Sequence, residues 1–394
     1  MSKFLILFSL LFVIALPVRA DVLGPNLTFN ANTGRVYSHK NAFNRWYPAS
    51  ITKMMTAYVA LKQIKIGKLS FKSPVRISEY ALSKPPSKMG FPVGTVLNLE
   101  SALKIILVKS ANDIATAIAE SVGGSEEAFV GMMNQYARSI GMRSSNFMNP
   151  HGLHDPNQYV TAYDMGILAR QIYKEFPKEA ELFSIHAIKV GKRTLRNHNA
   201  LMRRFPGTIG MKTGFICSGG LNIVTAAKVN NQIIVSVVLG GTSGRERNLL
   251  AAELLTDAKK QRFAFNPTKL EKLKRPSNIA APIDIRDYVC GRKKGQSLES
   301  ESEEEGADTE ATEVVSIADR EALVMTEGKQ PVTVIQVGLN NATGPDPFEL
   351  LVEKPPLELV EEFKDVAGVL EPATRYEIGG KFKVPVPTSR PVIQ

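Results

Sequence analysis

Cysteine is almost missing from this chain, with two in 394 residues, which excludes a disulfide scaffold and a multi-cysteine metal module. Tryptophan occurs once and aromatic residues make up 7% of the sequence. No aromatic stacking motif accompanies its basic charge, so nucleic acid is not an expected partner. The longest apolar run, Phe4 to Leu16, is shorter than the roughly 18 residues that cross a bilayer as a helix. There are no internal repeats. His151 and His154 have an H-x-x-H spacing, but no glutamate completes a zinc-hydrolase helix. They read as loop histidines, and no metal or cofactor is expected.

What is present is a real core and a divided charge. Apolar residues make up 44% of the chain and the formal net charge is +11. Residues 296–394 carry 8 Lys and Arg against 20 Asp and Glu, net −12, so residues 1–295 stand at +23. Lys3, the apolar run and the small-residue exit Pro17-Val18-Arg19-Ala20 read as a secretory signal peptide over residues 1–20. The mature protein would then begin at Asp21 and work outside the cytoplasm. It would be a soluble or peripheral protein, with a mature body at +21 over 21–295.

Periodicity divides the rest. Leu27–Asn30 and Arg35–Ser38 flank Asn32-Thr33-Gly34 as a hairpin. Helical spacing runs over Ile51–Ile64, Leu99–Val108 and Ile114–Val122, and Thr161-Ala162-Tyr163-Asp164 is a capping box before a fourth helix. Leu221–Val229 and Ile233–Leu239 form a hairpin through Asn230-Asn231, and Gly244–Phe263 is an amphipathic helix. Strands at both ends with helices between them predict one α+β domain over 21–265. Beyond it, 266–295 reads as a basic linker or the start of a C-terminal region. Residues 296–315 hold the acidic, disordered Glu299–Glu310 stretch. Residues 316–394 are a weakly patterned tail of unassigned fold. It contains a strand candidate at Val332–Gly338, an acidic helix candidate at Leu357–Leu370 and a polyproline-like end at 385–391.

Ser50-Ile51-Thr52-Lys53 sets a hydroxyl and an amine one helical turn apart on one face. A serine hydroxyl becomes a nucleophile when a base takes its proton, and a lysine whose burial or cationic neighbour favours the neutral amine is such a base. Alone the pattern is weak, since about two chance matches are expected in a chain of this length. Ser101-Ala102-Leu103-Lys104 is indeed a second. Context favours the first: Ser110-Ala111-Asn112 follows it, and Lys212-Thr213-Gly214 lies just before the strong hairpin, as an edge strand would. Ser144-Ser145-Asn146 has the same S-x-N form without a helix start to recommend it.

These three elements in this order match the S-x-x-K, S-x-N and K-T-G set of penicillin-recognising serine enzymes. With Pro48–Ala57, Ser110–Asp113, Phe147–Leu153 and Lys212–Phe215, residues 25–262 resemble the low-molecular-mass penicillin-binding proteins, the serine-type D-Ala-D-Ala carboxypeptidases. The resemblance implies a penicillin-binding transpeptidase or β-lactamase-like domain, an antiparallel sheet flanked by helices with a helical subdomain beside the cleft. It implies Ser50 as nucleophile, Lys53 as its base and Ser110 as the relay to the leaving amine. Asn112, Lys212, Thr213, Gly214, Phe215 and Arg245 would bind substrate, with Arg245 on the terminal carboxylate and Arg247 two residues away. The backbone N–H groups of Ser50 and Phe215 would form an oxyanion hole. The implied partners are peptidoglycan stem peptides, with β-lactams as covalent inhibitors.

Three other readings use overlapping features. A serine β-lactamase would need a deacylating carboxylate, and no Glu between Asn112 and Lys212 has Asn four residues later. A DD-endopeptidase would use the same residues as the carboxypeptidase. An inactive wall-binding protein is opposed by the intact Ser50, Lys53 and Lys212. His198 reads as structural, and Met54, Met55, Met132 and Met133 as core. Pairing of Cys217 with Cys290 is left open, and no membrane contact is assigned to the acidic tail, because anionic lipid repels it.

Overall fold

A computed structural model of the chain describes residues 22–229, 231–261, 267–291, 317–325, 332–339 and 342–346. The signal segment 1–20, the acidic stretch 299–310, the helix candidate 357–370 and the polyproline-like end lie outside the described residues.

Five strands make the main sheet: β1 (Asn26–Asn30), β2 (Val36–Lys40), β7 (Thr208–Ile216), β8 (Gly220–Val229) and β9 (Gln232–Gly241). They are antiparallel in the order β2-β1-β9-β8-β7, so strands more than 200 residues apart in sequence meet at the β1–β9 pair and β7 stands at one edge. The near-continuous apolar runs of β8 and β9 follow from burial on both faces. Ile223, Ala227, Ile234 and Val238 pack against Leu249, Leu250, Leu254 and Leu255 of α8 (Gly244–Lys260). The alternate residues Val224, Ala226, Val235, Val237 and Leu239 face the larger helical layer.

That layer is built around α1 (Lys53–Lys65), which is buried on nearly every side, from Lys53 through Leu61. A two-stranded ribbon, β3 (Pro74–Arg76) and β4 (Val96–Asn98), brackets the short α2 (Glu79–Ser83). Then come α3 (Leu99–Val108), α4 (Asn112–Gly123), α5 (Glu126–Ser139) and α6 (Ala162–Glu175). Local chemistry sets their starts: Asn98, Ser125, Thr161 and Ser243 each accept a backbone N–H from three residues ahead, filling a donor a helix start leaves open. A small hairpin, β5 (Ala187–Val190) and β6 (Arg193–Arg196), and the single turn α7 (Leu201–Arg204) lead into β7.

The body does not stop packing at residue 265. Arg35 bridges to Lys269, Leu270 and Ile285 are fully buried, and the turn α9 (Arg286–Val289) delivers Cys290 to Cys217 in a disulfide. Farther on, α10 (Ile317–Val324) lies on α8, where Arg320 grips Glu253 through two 2.9 Å hydrogen bonds. The strand expected at 332–338 is β10 (Val334–Val337), pairing parallel with β5. Glu321 meets Arg204 and Arg245, and Asp346 meets Arg76. Part of the acidic tail thus lies on the basic body, through ion pairs whose arginines are about half exposed and which each contribute only about 0–1 kcal/mol. Among the described residues no helix is long and apolar enough to cross a membrane.

Candidate active site

Ser50 sits in a single 3₁₀ turn, Ala49–Thr52, that runs directly into α1, so Lys53 opens the helix one turn beyond it. The turn is clamped from the sheet. The buried Asn222 of β8 donates from its side-chain amide to the carbonyls of Tyr47 (2.9 Å) and Pro48 (3.0 Å), and Trp46 Nε1 donates to Gly219 (2.8 Å). Two glycines make the fit possible. A Cβ on Gly214 of β7 would stand 2.7 Å from the Ser50 nitrogen, and one on Gly152 would stand 1.9 Å from the Ala49 carbonyl oxygen. Ala49 and Ser110 have φ of 50° and 64°, a left-handed backbone that side-chain-bearing residues rarely adopt. Such strain is held where surrounding structure over-determines it, often at working sites.

Lys53 is fully buried. Its Nζ lies 2.9 Å from Ser50 Oγ, 2.8 Å from Asn112 Oδ1 and 2.6 Å from the His151 carbonyl oxygen. Burial, then the like charge of Lys212, drives its pKa well below the ordinary lysine value. All three oxygens are placed to accept from Nζ; when the amine is neutral, its lone pair can instead take the Ser50 hydroxyl proton. Lys212 on β7 is equally buried, with Nζ 2.9 Å from Ser110 Oγ and 3.1 Å from the Thr213 carbonyl oxygen. Burial, and secondarily Arg247, lowers its pKa to about 7. One amine therefore backs each of the two serines.

Ser50, Ser110, Asn112, Thr213, Gly214 and Phe215 all line one open cavity of about 450 Å³. Lys53 and Lys212 stand behind its wall. β7 is an edge strand paired only to β8, so every second backbone amide on its outer side is open to a ligand. No carboxylate is among the described residues that line this cavity.

Arg245 is not part of this cavity. Its side chain is half exposed and pairs with Glu321 at 3.1 Å. The arginine that does line the cavity is Arg247, buried and held by the Asn248 side chain and the Asn222 carbonyl. Helical phase separates the two: Arg247 stands three, four and seven residues before Leu250, Ala251 and Leu254, on the stripe that faces the sheet. Arg245 points elsewhere. Pro86, Ser87, His151 and His198 also line the cavity; Pro86 and Ser87 carried no signal in the sequence, and the two histidines read there only as loop and structural residues. His151 is buried as a neutral ring, its pKa lowered to about 2 by burial and then by Lys53. His154 packs edge-on to Tyr47, with Nδ1 2.9 Å from Ser218 Oγ. The competing motifs have other uses. Ser101 donates to the Gly338 carbonyl while Lys104 pairs with Glu100, and the Ser144 N–H and the Ser145 hydroxyl donate to Asp164.

Residues 24–243 match the family described as D-alanyl-D-alanine carboxypeptidase, peptidase S11. D-alanyl-D-alanine carboxypeptidase DacA of Haemophilus influenzae is 36% identical over 231 residues, 57% of this chain and 58% of the relative. DacF of Bacillus subtilis is 32% identical over 259 residues, 65% of each. The chain therefore spans less than two thirds of the length of these curated relatives. Among solved structures, penicillin binding protein 5 from Haemophilus influenzae matches with a TM-score of 0.58 at 32% identity, over 62% of this chain and 72% of that one. The Francisella tularensis carboxypeptidase DacD gives 0.58 at 30%, with the same coverage. The antiparallel sheet between helices expected from the motifs is the fold these proteins share.

Proposed function

The chain belongs to the D-alanyl-D-alanine carboxypeptidase family, and from that membership we propose that it removes the terminal D-alanine of peptidoglycan stem peptides through an acyl-enzyme on Ser50. One observation carries the reading: two buried amines each lie 2.9 Å from a serine hydroxyl of the same cavity, Lys53 at Ser50 and Lys212 at Ser110. Lys53 takes the Ser50 proton as Oγ attacks the carbonyl between the two D-alanines. The backbone N–H groups of Ser50 and Phe215 hold the oxyanion, each donor lowering the barrier by about 3–4 kcal/mol. Ser110, held by Lys212, passes a proton to the departing amine, and water then hydrolyses the ester. Thr213 and Arg247 receive the terminal carboxylate, with Lys212 adding positive field from behind the wall. The role expected of Arg245 passes to Arg247 in this reading, because only the latter lines the cavity. Asn112 spends its Oδ1 on Lys53 and one amide proton on the Pro85 carbonyl, leaving the second proton for the substrate backbone.

β-lactams mimic the D-Ala-D-Ala bond and acylate the same serine. The lack of a carboxylate among the described residues of the cavity supports a slowly hydrolysed adduct over β-lactamase turnover. Residues 1–20 direct the protein out of the cytoplasm, and the mature N-terminus is Asp21. The test is release of D-alanine from diacetyl-Lys-D-Ala-D-Ala beside hydrolysis of benzylpenicillin. D-alanine release with little penicillin turnover is expected, and the reverse pattern would make the protein a β-lactamase.

A further inference from the structure

The strand that carries the Phe215 N–H ends in a turn fastened from outside. β7 stops at Ile216, and Cys217 to Gly219 lead the chain into β8. This turn packs on the segment that delivers the nucleophile. The Gly219 carbonyl accepts the Trp46 Nε1–H at 2.8 Å, and a Cβ on Gly219 would stand 2.4 Å from the Tyr47 carbonyl oxygen. Ser50 is three residues past Tyr47, and Phe215 is two before Cys217. Both proposed oxyanion donors are therefore a short length of backbone from one contact.

On its outer side the turn meets Ile285–Cys290, which lies beyond the residues that match the family. Ile285, Tyr288 and Val289 are buried in the main core, and a Cβ on Gly220 would stand 2.9 Å from Ile285 Cδ1. Among the described residues one backbone hydrogen bond joins this stretch to the turn, from the Ile285 N–H to the Ser218 carbonyl at 3.0 Å. The other tie is covalent, the Cys217–Cys290 bond. Cys290 is exposed and Cys217 half-buried, so a thiol in solution reaches the bond from the Cys290 side. These are the chain's two cysteines, so neither has another partner within the protein.

We propose that this disulfide is a redox switch on acyl transfer, an inference that rests on the roles given above to Ser50 and Phe215. Intact, it keeps Ile285–Cys290 on the turn and the Phe215 N–H in register with the Ser50 N–H. A dithiol opens it in two exchanges. The first thiolate attacks the Cys290 sulfur, forming a mixed disulfide and releasing Cys217 as a thiolate that takes a proton. The second thiol displaces Cys290 and closes the reagent's own disulfide. Two electrons and two protons pass from the dithiol to the protein. The end of β7 then gains freedom beside Ser50, where a shift of about 1 Å costs about 10²-fold in rate. A disulfide oxidant reverses the exchange and restores the fast enzyme.

The test uses the full chain, reduced with dithiothreitol, desalted without air and checked for two titratable thiols. Acylation by a fluorescent penicillin is followed at a temperature where circular dichroism shows the reduced form folded. The second-order rate is expected to fall at least tenfold, while final labelling stays at one adduct per chain. Reoxidation with glutathione disulfide should return the rate to within twofold of the parent. Cys217→Ser/Cys290→Ser should be slow whether or not dithiothreitol has been applied. A folded, reduced protein that acylates within twofold of the parent overturns the switch and leaves the proposed function standing. So does a fall in final labelling at an unchanged rate, which marks lost folded protein, or a double variant as fast as the oxidised parent. Reduced protein that is unfolded at every temperature where the parent is active also overturns it, because the bond is then a global staple. An oxidised parent that forms no adduct overturns the function and the switch with it.

Discussion

Replacing Gly214 by alanine tests how closely β7 must approach the nucleophile. A Cβ there would lie 2.7 Å from the Ser50 nitrogen, 2.9 Å from the Pro48 oxygen and 3.0 Å from the Ile51 nitrogen. All three are backbone atoms on one turn, so no side chain can swing aside. Ordinary contact requires the strand and the turn to separate by about 0.7 Å. That gap opens between the two proposed oxyanion donors, the N–H groups of Ser50 and Phe215, which sit on opposite sides of the wedge. A misplacement of about 1 Å costs about 10²-fold in rate, and the overpacking itself costs about 1–3 kcal/mol of stability. The expected result is therefore a drop of about 10²-fold in the second-order rate of acylation by a fluorescent penicillin, with a lowered Tm. Gly131 is the control, because it is a helical glycine of α5 with nothing within 4 Å of an added Cβ. Gly131→Ala should leave acylation unchanged and add about 0.5–1 kcal/mol of stability. Acylation of Gly214→Ala within about threefold of the parent, at an unchanged Tm, would refute the reasoning.

Three further outcomes are expected. Activity should rise with pH as Lys53 loses its proton; Lys212→Gln removes the like charge that helps lower the Lys53 pKa, so the acid limb of the penicillin-acylation profile should move to higher pH, and an unmoved limb would deny that coupling. Arg247→Gln should lower kcat/KM for diacetyl-Lys-D-Ala-D-Ala by about 10- to 100-fold through one charge-assisted contact, whereas Arg245→Gln should stay within about threefold; steady-state kinetics showing the reverse order would return the carboxylate to Arg245. The Cys217–Cys290 bond closes a span of 73 residues, and replacing both cysteines by serine should cost about 4 kcal/mol by chain entropy; a urea midpoint equal to the parent's would show that the cross-link adds nothing.

Much of the site was legible because its signals are local. Ser50 and Lys53 share a helical face by spacing alone, the Asn230-Asn231 turn announces β8 and β9, and Thr161 caps its helix by a side-chain bond three residues long. The strand status of Lys212-Thr213-Gly214 followed from the hairpin after it. What was not legible depends on partners far along the chain. β10 pairs with β5 across more than a hundred residues, and the cysteines meet because α9 is carried back to the end of β7. Helix α5 was passed over because it buries only Phe129, Met133 and Ala137, a narrow stripe on an otherwise polar segment. Arg247 was within reach, since extending the phase of the leucine stripe back by one turn puts it on the sheet side and Arg245 off it. Ser87 and His198 reach the cavity from loops, for which periodicity has nothing to say.

The most direct test of Ser50 as a lysine-activated nucleophile is intact-protein mass spectrometry after incubation with benzylpenicillin, followed by peptide mapping. A single penicilloyl adduct on Ser50 is expected, absent from Ser50→Ala. It should also be absent from Lys53→Arg, whose guanidinium cannot give up its proton at neutral pH. An adduct on any other residue, or one that forms at the parent rate in Lys53→Arg, would contradict it.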